Sequence, residues 1–374
     1  MSGKRIICAG HVCIDITPAI TDPGNVRIEE FLMPGKLIQV GKASVSAGGC
    51  VSNTGLGLKV LGADVSLMGK IGKDDFGELI LNEYRRYGAA EELIVQEHDA
   101  TSYTVVIAIP GIDRIFLHHP GANDTFCAKD IPWEKVKGAA LFHFGYPPIM
   151  KKTWEHGGEE LVKILSGARQ ANLATSLDLA AVDPNSGAGA QDWRAILVRA
   201  LPLVDFFCPS IEELCWMLDR NLFDAWKERA AGRDVTTILN VDRDIRPLAE
   251  ECMALGCRVL LLKCGASGMY LRTADRRSLE RISPAVELNS ARWADQDFFE
   301  KSYVPEKVLS GTGAGDTSIA AFLKAVLDGY DPEMCMHLSA GTGASCVEAY
   351  DTLSGLRSFD QLKEKIQSGW KKNE

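Results

Sequence analysis

The sequence predicts an α/β protein: a central, mostly parallel sheet covered by helices on both faces, with a small β-sheet lid beside it. Two observations carry that prediction. Short apolar runs alternate with helix-like segments along most of the 374 residues, the pattern of successive strand–helix–strand units. Two stretches, 16–46 and 99–120, interrupt the alternation with β-type segments and no helices, as a small second sheet requires. The expected division is a large α/β domain formed by 1–15, 47–98 and 121–374, and a lid formed by 16–46 and 99–120.

Taken in order, "RIICAG" reads as the first strand, and "NTGLGLKVLG" places apolar residues at helical spacing with Gly62 to stop it. "ADVSLMGKIG" is strand-like again, and "DFGELILNEYRRYG" is an amphipathic helix ending at Gly88. In the lid, "TSYTVVIAI" alternates, setting Tyr103, Val105, Ile107 and Ile109 on one face, and a "PGID" turn leads into "RIFLHH". "ALFHFG", "ATSLDLA", "VDFFCPS" and "RVLLLKCG" are later strands, with helices such as "GEELVKILSGARQA" and "IEELCWML" between them. Residues 221–250 and 275–306 read as polar surface insertions or loops.

Composition narrows the function classes. With 46% apolar and 24% charged residues the chain is globular and has a large core. A net charge of −9 argues against a general nucleic-acid partner, which wants a basic surface. The eleven cysteines include no CxxC pair, against a zinc ribbon or a thioredoxin-type site. Their apolar settings, such as Cys8 in "RIICAG", point to buried free thiols and a reducing, cytoplasmic compartment. The N-terminus enters an apolar run without a signal-peptide layout, and no uncharged apolar stretch approaches a membrane span.

Chemistry concentrates in "SGTGAGDTSIAAFLKAVLDG", Ser310 to Gly329. Backbone N–H groups at a helix start have no intrahelical acceptor, and the helix dipole makes that end partly positive. Glycines there let the main chain close around an anion, so Gly311, Gly313 and Gly315 suggest a phosphate cradle. A carboxylate beside bound phosphate, Asp316, is most easily justified by handling a proton. The plainer reading is a glycine-rich turn capped by an Asp. The P-loop pattern is absent, and a dinucleotide fingerprint would need a glycine where Asp316 stands.

A second constellation lies near the N-terminus. "SAGGCVSNTGLGLKVLG" sets Gly48 and Gly49 before a helix with Asn53 in its first turn. Asp15 falls at the end of the first strand region, where open α/β sheets place ligands. An Asp, an Asn and two glycines suit a polyhydroxylated ligand, because the carboxylate accepts two hydroxyl hydrogen bonds and the amide both donates and accepts. Taken singly, each is as well explained as a turn or a cap.

Read together with "GKIGKDDFG", these two ends make the chain resemble the ribokinase, or PfkB, family of sugar and nucleoside kinases over nearly its whole length. The resemblance implies the ribokinase-like α/β/α fold with its β lid. It further implies an ATP- and magnesium-dependent transfer of phosphate to a hydroxyl, a primary one, of a small sugar or sugar derivative. In such enzymes the acid at Asp316 is the base, and the N–H groups at Gly313, Ala314 and Gly315 form the anion hole. Asp15, Gly48, Gly49 and Asn53 match substrate-contacting positions, and Asn123 in "HHPGAND" has a place near the closed site. "PSIEEL" matches the family's Asn-x-x-Glu segment with Glu213 retained near magnesium, through water, and Ser210 replacing the Asn. "KCGASG" matches the nucleotide segment and assigns Lys263, Gly265 and Gly268 to the nucleotide with Thr312, although Lys263 stands where a Thr is frequent. Lid-to-lid dimers recur in the family, and the apolar face of "TSYTVVIAI" suits one.

Other signals are weaker. His118 and His119 suit lid residues near the substrate better than metal ligands. Arg114 is equally well read as a solvated turn residue or as a contact to an acidic or phosphorylated sugar. Trp216 and Trp226 read as packing residues, and Trp293 as a candidate neighbour of adenine. The rival functions are a nucleoside kinase of the same fold, which an aromatic-rich lid would favour, and a non-catalytic sugar sensor, which would need neither Asp316 nor its glycines. A dehydrogenase lacks its fingerprint. The identity of the sugar, the nucleotide preference and activation by a monovalent cation such as K+ stay open.

Overall fold

The structure is a computed structural model that describes residues 4–20, 28–109 and 115–373. The expected "PGID" turn and Arg114 therefore lie outside the described residues. Fourteen strands are described: β1 (Ile6–Gly10), β2 (Cys13–Pro18), β3 (Ala43–Gly48), β4 (Val65–Met68), β5 (Lys70–Gly72), β6 (Ile94–Gln96), β7 (Tyr103–Ile107), β8 (Ile115–His119), β9 (Leu141–Gly145), β10 (Ala174–Leu177), β11 (Phe206–Phe207), β12 (Val259–Cys264), β13 (Gly268–Thr273) and β14 (Asp297–Lys301). Eight of them form one sheet in the order β14-β13-β12-β11-β10-β9-β1-β4, parallel except where β13 pairs with β12 and β14.

Side chains leave a strand alternately on opposite faces, and here both faces are buried. Ile6 and Cys8 of β1 join one apolar layer while Ile7 and Ala9 join the other. Val259 and Leu261 of β12 are divided from Leu260 and Leu262 in the same way. The strands of the central sheet are consequently mostly apolar, and the protein is a three-layer α/β/α fold. Among the described residues no helix is long and apolar enough to cross a membrane.

The region 275–306, expected as loop, adds a strand: β14 pairs with β13 and extends the sheet by one edge. Its sequence, "DFFEK", mixes aromatic and charged residues, as an edge strand with a partly exposed face does. The region 221–250 is also more ordered than expected, with helices at Arg220–Ala230 and Arg246–Ala254. Trp293 is not a free aromatic surface. Its indole is 2% exposed and meets Phe322 edge-on at 6.1 Å, inside the core.

A second sheet, in the order β3-β2-β7-β8, forms the lid. It takes in Cys13–Asp15 and Ala47–Gly48, so the boundaries at 15 and 47 move, and Asp15 rides on the lid rather than at the end of β1. The chain re-pairs directly after Gly10, which leaves no room for a longer first strand. Register puts Asp15, Thr104 and His118 opposite one another in a row on one face. Val45, Ile16, Val105 and Leu117 form a row on the other face. Tyr103 and Ile109 do not complete that outer apolar face as expected. Tyr103 packs on Phe76 at 5.5 Å, and Ile109 lies beyond the strand end and is buried.

Candidate active site

One cavity of about 1030 Å³ runs from the inner face of the lid to the start of the helix Ala314–Leu327. Asp15, Gly49, Asn53, Glu213, Lys263, Gly265, Thr312, Gly313, Gly315 and Asp316 all line it, so residues up to three hundred positions apart converge. The convergence follows from the sheet. In a parallel sheet the chain leaves the strands at the carboxyl edge, and the segments that follow β9, β10 and β12 gather there with the start of the helix Ala314–Leu327.

The helix that carries Asp316 begins abruptly. Gly313 has φ 76°, a left-handed conformation that side chains disfavour, and a Cβ on it would fall 2.3 Å from a methyl of Thr352. Thr317 N–H is the first to find its helical acceptor, Gly313 O at 2.9 Å, which leaves the N–H groups of Ala314, Gly315 and Asp316 outside the ladder. Together with the helix dipole they make an anion-attracting end.

Asp316 is 5% exposed. Tyr146 Oη lies 2.7 and 2.8 Å from its two oxygens, Asn53 Nδ2 donates to Oδ2 at 3.0 Å, and Thr54 Oγ1 donates to Oδ1 at 3.4 Å. Burial raises the Asp316 carboxyl above its usual range, against the pull of Lys263 and of the bonds from Tyr146 and Asn53. Tyr146 itself is pushed far upward, by burial first and then by the Asp316 and Asp178 charges, so it stays protonated and donates. Its backbone is left-handed, φ 69°, a strained state that costs about 1–3 kcal/mol and aims the phenol from the end of β9.

Asn53 sits in a short π-helix, Val51–Leu56, and its amide also accepts from Thr352 at 3.4 Å. Its contacts within the chain are thus to Asp316 and Thr352. Gly48 leaves space for Asp15, because a Cβ there would lie 2.1 Å from Asp15 Oδ2. Burial raises the Asp15 carboxyl as well. His118 Nδ1 meets Thr104 Oγ1 at 3.0 Å beside it, whereas His119 packs at a tilt against Tyr103, ring centroids 5.5 Å apart, on the opposite face.

Two expected site residues are used differently. Asn123 is fully buried, with Nδ2 donating to Val12 O and Pro120 O, and Oδ1 accepting from Val12 N–H. The amide is spent on the backbone between β1 and the lid, so it pins that junction and does not face the cavity. Gly268 opens β13 against Glu300 O and is likewise away from the cavity lining, while Gly265 reaches it.

At the far end, Lys263 Nζ pairs with Asp178 Oδ1 at 2.9 Å and packs beside Gly315. Burial alone would lower Lys263, but the charges of Asp178, Glu213 and Asp316 outweigh it and the ammonium is held charged. Burial raises Asp178 to about 8 despite the lysine, and its Oδ2 has no protein partner. Glu213 and Ser210 form a capping box at the start of the helix Ile211–Leu218: Ser210 N–H donates to Glu213 Oε2, and Glu213 N–H to Ser210 Oγ. Ser210, which stands where the resembled family commonly has an Asn, therefore supplies the helix cap. Asp178, Glu212 and Glu213 line the same cavity as Lys263 and offer hard oxygen donors, the type that suits magnesium. Cys8, Cys50 and His143 also cluster, all buried, but two thiols and an imidazole are not the oxygen donors that magnesium takes.

Tyr146, Thr54 and Asp178 were not singled out from the sequence. Tyr146 and Asp178 each follow directly on a strand ("FHFGY", "TSLD"), and the carboxyl-edge rule is the signal that could have found them. Thr54 carries no such signal.

The model for the pfkB family of carbohydrate kinases matches residues 4–358. An uncharacterised sugar kinase of Archaeoglobus fulgidus is 24% identical over 309 residues, 82% of this chain and 100% of that protein. A nucleoside kinase of Methanocaldococcus jannaschii is 25% identical over 374 aligned positions, 98% of this chain and 99% of that protein. Among solved structures, a fructokinase from Xylella fastidiosa with bound ATP superposes with a TM-score of 0.71 at 17% identity, covering 98% and 99% of the two chains. With a glycine-started helix, a buried acid behind it and a lid over both, the chain belongs to the pfkB family of carbohydrate kinases.

Proposed function

We propose that this sugar kinase transfers the γ-phosphoryl group of ATP to a hydroxyl, a primary one, of a small sugar or sugar derivative, with Asp316 as the base. The observation that carries the reading is the placement of Asp316: a buried carboxylate, bridged by Tyr146, at a helix start capped by Gly313 where the N–H groups of Ala314 and Gly315 lie outside the helical ladder. The hydroxyl proton passes to an Asp316 oxygen as the new O–P bond forms and the bond from the γ-phosphorus to the bridging oxygen breaks. The N–H groups of Gly313, Ala314 and Gly315 hold the charge on the transferring group, and Lys263 adds a cation beside them. Magnesium, held through water near Glu213 and Asp178, would supply neutralisation of the nucleotide phosphates. Asp15 and Thr104 on the lid would bind acceptor hydroxyls, and closure keeps competing water away. A base raised by burial suits work near neutral pH.

The test is ADP release from ATP with a panel of sugars and nucleosides, together with Asp15→Ala. That variant should lose acceptor affinity by about 1.5–3 kcal/mol for each charged hydrogen bond removed. ATP affinity should hold; an equal loss for both ligands would make Asp15 structural.

A nucleoside acceptor is a second reading. It has support from the Methanocaldococcus nucleoside kinase and from the rings around the acceptor end. His11 lies 5.2 Å from His118 and 6.0 Å from Tyr146, with Phe116 on the lid. The same panel separates the two.

The outer lid row also supports a homodimer. Val45 and Leu117 are 49% and 55% exposed in a row with Ile16 and Val105, and Pro18 and Ile107 continue the apolar surface. Light scattering should give twice 40.7 kDa, and Val105→Glu with Leu117→Lys should halve it. A wild-type mass of one chain would refute the dimer. The cysteines are all free, and ten are buried, which suits a reducing cytoplasm.

A further inference from the structure

We infer that the acceptor is uncharged: a neutral polyhydroxylated molecule, not a sugar acid or a sugar phosphate. The inference rests on the kinase reading above and specifies its substrate. Asp15 and Asp316 line the cavity with Thr104, Asn53 and Tyr146; Asp124 lines it too, but its carboxylate accepts from Lys151 N–H at 3.0 Å and feels the Lys151 charge. Among the described residues lining the whole cavity, Lys263 is the one Lys or Arg. It is not available to an acceptor, because its ammonium is paired with Asp178 and lies beside Gly315 at the phosphoryl end.

The two imidazoles do not replace it. Burial lowers His11 well below its ordinary value and holds His118 at about 4, so both are neutral near pH 7. A carboxylate or phosphate on the acceptor would thus enter a half-buried space between Asp15 and Asp316 with no opposing charge. Neutral hydroxyls meet the opposite situation. The carboxylate of Asp15 accepts from them, and the Thr104 hydroxyl beside it in register both donates and accepts. The lid row Asp15–Thr104–His118 therefore reads hydroxyls and repels anions.

The experiment measures binding and transfer separately for matched sets on one carbon skeleton, each member keeping its primary hydroxyl: glucose, gluconate and glucose 1-phosphate, with ribose, ribonate and ribose 1-phosphate. Titration calorimetry at low and high salt gives affinity, and ADP release gives kcat/KM. The neutral member of a set should bind at least 10-fold more tightly than its anionic partners, with the gap narrowing as salt screens the carboxylates. Thr104→Arg, which places a cation in the row, should shift the preference toward the acid by 10-fold or more. Tighter binding of the acid or phosphate than of the neutral partner in the wild-type chain overturns the inference. If Arg114→Ala abolishes such binding, the missing cation comes from that residue and the inference is equally overturned. Neutral sugars that bind in preference to anions yet never receive phosphate would support this inference and count against the kinase reading alone.

Discussion

Replacing Asp316 by Asn is expected to lower turnover by on the order of 10²–10⁴, with little change in affinity for either ligand. The amide fills the volume of the carboxylate, and the Tyr146 hydroxyl can turn to accept from it, so the packing around the helix start survives. What disappears is the proton acceptor. The loss should therefore fall on kcat and leave KM nearly unchanged, as removal of an interaction made in the transition state does. Steady-state kinetics in both substrates, with a melting curve to check folding, decides it. Turnover near that of the parent enzyme would remove Asp316 from its proposed role and leave it as a helix-start residue.

The second large effect is expected from Lys263→Met. It strips the cation from a buried pair and leaves Asp178 alone in the core, a change that costs about 3–5 kcal/mol when the remaining charge must stay ionised. The sign of the pH dependence follows from Asp178. Its folded pKa, about 8, lies above the ordinary carboxyl value of 3.8, so its favourable contribution is full below the ordinary value and is lost as pH rises through 8. Without the lysine the carboxyl holds its proton more strongly still. The deficit of the variant should therefore be largest above pH 8 and shrink toward pH 6, where Asp178 escapes by staying neutral. Denaturant midpoints across that range test it, and a deficit that grows on acidification would contradict it. Adding Asp178→Asn removes the stranded charge, and stability should return close to that of the parent. Turnover should not return, because the cation beside Gly315 is still absent. Recovery of both would mean that Lys263 serves only to neutralise its partner.

The elements most legible in the sequence are those whose signal is local. Within "RVLLLKCG", Val259–Leu262 is an unbroken apolar run because both faces of β12 are buried there, and those four residues declare it without reference to anything else. The helix at Asp75–Arg86 announces both ends, with Asp74 capping Gly77 N–H and Gly88 in a left-handed turn. The glycine loop before Asp316 was equally plain. Edge strand β14 was not, because a half-exposed edge lacks the unbroken apolar run of an inner strand.

The sequence by itself determined the two-sided parallel sheet, the existence of a lid and the pairing of a glycine-rich helix start with Asp316, all of which depend on periods of two to four residues. Only the tertiary structure decided what touches that acid. Tyr146 and Asn53 reach it across 170 and 263 positions, and Lys263 finds Asp178 across 85. It also decided that Asn123 pins the lid junction, since an Asn in "PGAND" looks the same whether its amide meets a ligand or the carbonyl of Val12. Such contacts are fixed by the order in which strands pair across the sheet, and strand order leaves no mark in any short window of the chain.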